Sequence, residues 1–127
     1  YFFRPEPEDE VVVGFFNDDP RRPVILGALF GSKNAPPKAM GTPSEKNEKS
    51  GIVTKFGTTI QLLDPDENKA SVSIETANKN KLLIDDGAKS IVLSDQHENS
   101  ITMGESGIEI KSETGNVTIS GKKVDIK

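Results

Sequence analysis

The 127-residue chain has no cysteine and no tryptophan, and it carries a single histidine, His97. Without cysteine there is no disulfide, no thiolate metal ligand and no Cys nucleophile, and the redox compartment leaves no mark on the sequence. With one imidazole there is no nucleophile–base constellation. Aromatics make up 6% of the residues and none follows Phe56, so a surface that stacks sugars or bases has little to work with. Sixteen Lys and Arg stand against twenty Asp and Glu, a net charge of -4. A phosphate-binding surface would want clustered basic charge instead. No apolar run approaches the ~18 residues of a membrane helix, and the first residues lack a signal-peptide pattern. The chain opens on Tyr1 and not on Met, so it is expected to be a piece of a longer protein. Only 33% of its residues are hydrophobic and the mean hydropathy is -0.47. A domain of this size must bury roughly two-thirds of its unfolded surface, so a self-sufficient core is not in prospect.

What is present falls into three zones. In "VVVGFFNDDPRRPVILGALF", Val11 to Phe30, two β-branched and aromatic runs flank the turn residues Asn17 to Pro23. This predicts a hairpin, with Pro20 and Pro23 in the connection because neither can donate a ladder hydrogen bond. From Ser32 to Ser50 there is no Val, Ile, Leu or aromatic residue. Pro36, Pro37 and Pro43 among Lys and Glu mark an extended linker, disordered alone or docked along a neighbouring surface. From Gly51 onward the pattern turns to strict period two.

Apolar pairs fall at Ile60 and Leu62, Val72 and Ile74, Leu82 and Ile84, Ile91 and Leu93, Ile101 and Met103, Ile108 and Ile110, Val117 and Ile119, Val124 and Ile126. From Val72 the pairs start 10, 9, 10, 7, 9 and 7 residues apart, each interval one short strand plus a turn. No window has helical periodicity. This is a repeat architecture of short strands. The pairs from Val72 to Ile126 are predicted to form a core shared between copies, with Val92, Thr102, Glu109 and Thr118 facing out.

Two inward side chains per strand are too few for one chain. Ordering the backbone costs ~1–2 kcal/mol per residue, while each buried Ile or Val returns roughly 1.5–3 kcal/mol. Repeats this short cannot close a single-chain coil, which leaves several intertwined chains sharing a narrow core. Three chains give a triangular prism.

The acidic-then-apolar run Glu8 to Phe16 and "DPRRPVILG", Asp19 to Gly27, followed by a Pro-rich joint, "SGIVTKFGTTIQL" and I-x-I strands, resemble the spike proteins of contractile injection systems. These are the VgrG proteins of type VI secretion, phage tail spikes and the spikes of extracellular contractile particles, the last of which it reads closest to. The resemblance spans nearly the whole chain, but most of the family's OB barrel and its earlier domains are missing here. It implies an all-β homotrimer: residues 1–31 as the last hairpin of an OB-fold barrel, 32–50 as a linker, and 51–127 as an intertwined triple-stranded β-helix. It also implies a mechanical, non-enzymatic role without cofactors or nucleic acid. The spike would sit on baseplate hub and tube proteins, in an extracellular particle assembled in the bacterial cytoplasm or in a virion tail, and enter a target envelope. Family spikes end in their own apex or carry a separate cone-shaped, PAAR-like tip protein. The apex histidines of some members are absent, so a tip protein is expected to contact Val124, Asp125, Ile126 and Lys127.

Other sites carry less. Asp64, Asp66 and Asn68 have the spacing that opens a calcium loop, but the loop's glycine and distant Glu do not follow, so a hairpin turn is expected. His97, within "SDQHENS", is expected in an exposed turn. Glu8, Asp9 and Glu10 form no catalytic pair without a desolvated cleft. Arg21 and Arg22 between prolines read as a charged turn. Gly87, Gly104, Gly107, Gly115 and Gly121 are spread out as corner residues, not as a phosphate loop. Two competing readings are a trimeric receptor-binding or polysaccharide-cleaving tailspike, opposed by the missing aromatics, and a monomeric OB-type binding module, opposed by the charge.

Overall fold

The computed structural model describes residues 4–31, 35–42 and 44–126. Its strands form two separate sheets, with no α-helix among the described residues. The chain divides into two units, Tyr1–Lys38 and Ala39–Lys127.

The first unit holds an antiparallel hairpin of β1 (Glu10–Phe15) and β2 (Pro23–Leu29). The two strands pair from Glu10↔Leu29 to Phe15↔Pro23. The register slips between Val12 and Val13, whose partners are Gly27 and Ile25, so Leu26 bulges out of the ladder. Asn17 and Asp18 take the left-handed conformation, which Asn and Asp tolerate better than other side chains. Asp19 accepts hydrogen bonds from the backbone N–H of Arg21 (3.0 Å) and from its guanidinium. Arg22 lies 4.9 Å over the Phe16 ring. Pro20 sits in the connection as expected. Pro23, by contrast, begins β2, a position open to proline because a first residue on an edge strand need not donate to the ladder.

The second unit is a seven-stranded antiparallel meander in strict chain order. Its strands are β3 (Lys49–Val53), β4 (Thr59–Leu63), β5 (Ser71–Glu75), β6 (Lys81–Asp85), β7 (Ser90–Ser94), β8 (Ser100–Gly104) and β9 (Gly107–Lys111). Each is five residues long, so its second and fourth residues share one face and the other three share the opposite one. Ahead of it, a single 3-10 turn at Lys38–Met40 lies in the linker. The Gln61 side-chain amide donates to the Ala39 carbonyl (3.5 Å). A Cβ on Gly51 would collide with the Ile60 carbonyl oxygen and crowd the Met40 methyl group, so the residue there must be glycine. Part of the linker thus docks on its own chain. Pro43 lies outside the described residues.

One loop design closes three of the hairpins, at 54–58, 76–80 and 95–99. In each, the fourth residue donates its backbone N–H to the carbonyl of the first, and the first donates to the carbonyl of the fifth. The first side chain (Thr54, Thr76 or Asp95) accepts the backbone N–H of the fifth. The fourth residue is left-handed in all three: Gly57 (φ 86), Lys79 (φ 69) and Glu98 (φ 64). "TKFGT", "TANKN" and "DQHEN" therefore share a conformation that their letters barely reveal. All three loops lie along one edge of the sheet, where Asn80 accepts the Gln96 N–H and Ser112 donates to Asn99 (2.8 Å).

A candidate trimer interface

The register stacks the apolar pairs into two unbroken columns running across the strands. Ile52, Ile60, Ile74, Leu82, Leu93, Ile101 and Ile110 are successive partners in the first. Leu62, Val72, Ile84, Ile91, Met103 and Ile108 are successive partners in the second. Gln61, Ser73, Leu83, Val92, Thr102 and Glu109 pair on the other face. Ten of the fourteen residues predicted to form the core therefore share one face of the sheet.

That face is bare. From β4 to β7 every residue on the largely polar side is half-buried by its neighbours, while the column residues are exposed apart from half-buried Leu82 and Ile91. Leu93 is 52% exposed and Ile108 72%. Among the described residues no side chain is buried at all. The chain exposes 11030 Å², where a folded monomer of its mass should expose ~6,600 Å². A continuous apolar face on such a chain marks an interaction surface.

The other four predicted core residues, Val117, Ile119, Val124 and Ile126, lie outside any strand, since residues 112–126 form none. A strand is defined by a hydrogen-bonded neighbour, and the outer edge of β9 finds none among the described residues. After Lys111 the path turns instead, with Gly115 donating its N–H to Ser112 Oγ (3.3 Å). Val117 then lines a cleft of about 500 Å³ with Leu93, Ile101 and Ile110 from the bare face. Asp125 pairs with Lys123 at 3.0 Å, and Lys127 lies outside the described residues.

The minor candidates resolve locally. Asp66 accepts the Asn68 N–H and pairs with Lys69 (both 3.0 Å), spending its carboxylate on the turn. His97 sits in the 95–99 loop and donates its backbone N–H to Asp95 Oδ1 (2.8 Å). The Asn99 side-chain amide, joined by the Asn99 and His97 backbone N–H groups, holds the Asp95 carboxyl below its ordinary range. Lys79, hydrogen-bonded to Glu75 at 2.8 Å, does the same to the Glu75 carboxyl. Arg21 pairs with Asp19. Among the described residues no three metal-ligating side chains come together, and no helix is long and apolar enough to cross a membrane.

Two features escaped the sequence reading. Ile52 extends the first column, but Ser50 stands where its pair-mate would be, so a search for pairs passes over it. Leu83 opposes Val92 on the largely polar face, and within "KLLID" the Leu82 and Ile84 pair drew attention away from it.

A bare apolar ladder built from repeats marks a β-protein with a surface made for association. Residues 71–127 match the family described as the phage baseplate V C-terminal trimerisation domain. Residues 1–30 match the type VI secretion system/phage-baseplate injector OB domain. The two matches support membership of a VgrG-like spike family. That membership supports a homotrimer with a structural baseplate or spike role in an extracellular or virion-associated particle. No curated protein is matched.

Proposed function

We propose that the chain is the joint and shaft of a trimeric spike at the front of a contractile injection machine. It transmits force into a target envelope and carries a tip protein or effector. Residues 1–31 close an OB barrel, 32–50 connect, and 51–127 make the shaft. The observation that carries this reading is the pair of apolar columns from Ile52 to Ile110, bare in one chain and matched over β5 to β9 by a trimerisation family. Three such faces turned toward one axis cover each other, since every Ile or Leu then meets two equivalents.

Residues 112–126, beyond the last intrachain ladder, continue the shaft by pairing with neighbouring copies, so that Val117, Ile119, Val124 and Ile126 join the shared core. The 500 Å³ cleft beside Val117 is where a neighbour's apolar side chain inserts. Interlocked chains must unwind together, so the shaft resists unfolding kinetically. Function is mechanical and not catalytic.

Light scattering on the purified protein tests the assembly: a mass of three chains is expected, and a clean monomer overturns the reading. For the tip, a truncation after Gly121 should abolish pull-down of a PAAR-like protein. Unchanged binding would remove Val124, Asp125, Ile126 and Lys127 from that role.

A further inference from the structure

The stretch after β9 begins like the loops that close the earlier hairpins but does not finish like them. Ser112 follows the last strand residue, as Thr76 and Asp95 do, and Gly115 and Asn116 stand in the fourth and fifth places. Thr54, Thr76 and Asp95 spend their side chains on the N–H of the fifth residue. Ser112 Oγ instead accepts the N–H of Gly115, the fourth, at 3.3 Å and donates to Asn99 Oδ1 at 2.8 Å. Gly115 is also not left-handed, unlike Gly57, Lys79 and Glu98. The loop therefore stays unclosed, and no strand is laid against β9.

Tied to the 95–99 loop, the chain turns back instead of running on. Val117 then shares the cleft of about 500 Å³ with Leu93, Ile101 and Ile110, the last three rungs of the first column. Among the described residues no backbone hydrogen bond joins residues 113–126 to a strand. The contact is thus held by side chains, and it is loose, since Val117 keeps 52% of its surface exposed.

We propose that residues 112–117 are a strap, closed over the end of the first column in the single chain and displaced when copies associate. The inference rests on the trimer proposed above. A neighbour's side chain entering the cleft competes with Val117 for the same wall of Leu93, Ile101 and Ile110. A bare strand face is most open to wrong partners before its own copies arrive. The strap covers that face beside the outer edge of β9, and association slows by the fraction of chains whose strap is closed.

Refolding by dilution from denaturant, followed by light scattering, measures how fast three chains assemble. Ser112→Ala cuts the tie to Asn99 and should speed assembly about two- to tenfold, the range that one hydrogen bond spans. Val117→Ser removes the apolar part of the strap and, in the assembled protein, a residue of the shared core. It should assemble faster yet melt at a lower temperature, a split that a residue of the core alone does not give. The inference is overturned if either variant assembles no faster than the parent. A parent that stays monomeric sinks the trimer reading and the strap with it. A trimer that forms at one rate in all three proteins sinks the strap alone.

Discussion

The two sheets solve the problem of uncovered surface differently. The hairpin is apolar on both faces over only two strands, and an isolated two-stranded hairpin is marginal in water. The meander concentrates its Ile, Leu, Val and Met on one face across seven strands, leaving the other mainly to Ser, Thr, Gln and charged residues. A hairpin with two apolar faces needs two different partners. A sheet with one apolar face can be covered by copies of itself, and repeating the pattern lengthens the sheet without making its other face sticky. The difference teaches that apolar content alone says little about assembly; its distribution over faces says how many partners a sheet requires.

The sharpest way to break this comparison is to charge one face and then the other. Ile110→Asp places a carboxylate in the first column, where the proposed trimer would bring three together, and burying an unpaired charge costs on the order of several kcal/mol each. The trimer should be lost on light scattering. Thr102→Asp, on the opposite face, should leave the mass unchanged. Equal effects from the two substitutions would refute the one-sided assignment.

Gly51→Ala comes next. A methyl group there meets the Ile60 carbonyl and the Met40 side chain, so overpacking should cost about 1–3 kcal/mol. This appears as a lower unfolding midpoint with trimer mass retained, because the strain falls on the β3–β4 backbone and not on the apolar side chains of the columns. No change would show that β3 and β4 separate locally to admit the methyl group.

Smaller effects separate the loops from the faces. Glu98→Gly relieves a left-handed non-glycine residue and should raise stability by about 0.5 kcal/mol, while Gly57→Ala in the equivalent loop position should lower it by about 1 kcal/mol. Thermal melts of the two variants should therefore move in opposite directions. Acid has the least effect. Asp95 and Glu75 are held below their ordinary values of 3.8 and 4.5 by hydrogen bonds from Asn99 and Lys79. A carboxylate depressed in the folded state contributes stability above its unfolded value, and that contribution disappears as pH falls through the lower, folded value. Melts at pH 7 and pH 3 should show a slight loss at pH 3, reduced in Asp95→Asn. An unchanged difference in that variant would remove Asp95 from the account.

The period-two pairs were legible from composition and spacing because a strand's side-chain alternation is local: Ile108 and Ile110 must share a face in any strand that contains both. Local composition likewise made the hairpin at Val11 to Phe30 and the shortage of a self-sufficient core legible, whereas of the five glycines expected at corners only Gly107 takes a positive φ. Tertiary structure alone decided which pair lies beside which. It aligned Leu93 with Ile101 and Ile101 with Ile110, gave Lys79 and Glu98 the conformation of Gly57, docked Met40 against Gly51, and ended the intrachain ladder at Lys111 although the apolar rhythm runs on to Ile126. Those outcomes depend on hydrogen bonds between strands and on space between side chains distant in sequence, and neither is encoded in any local period.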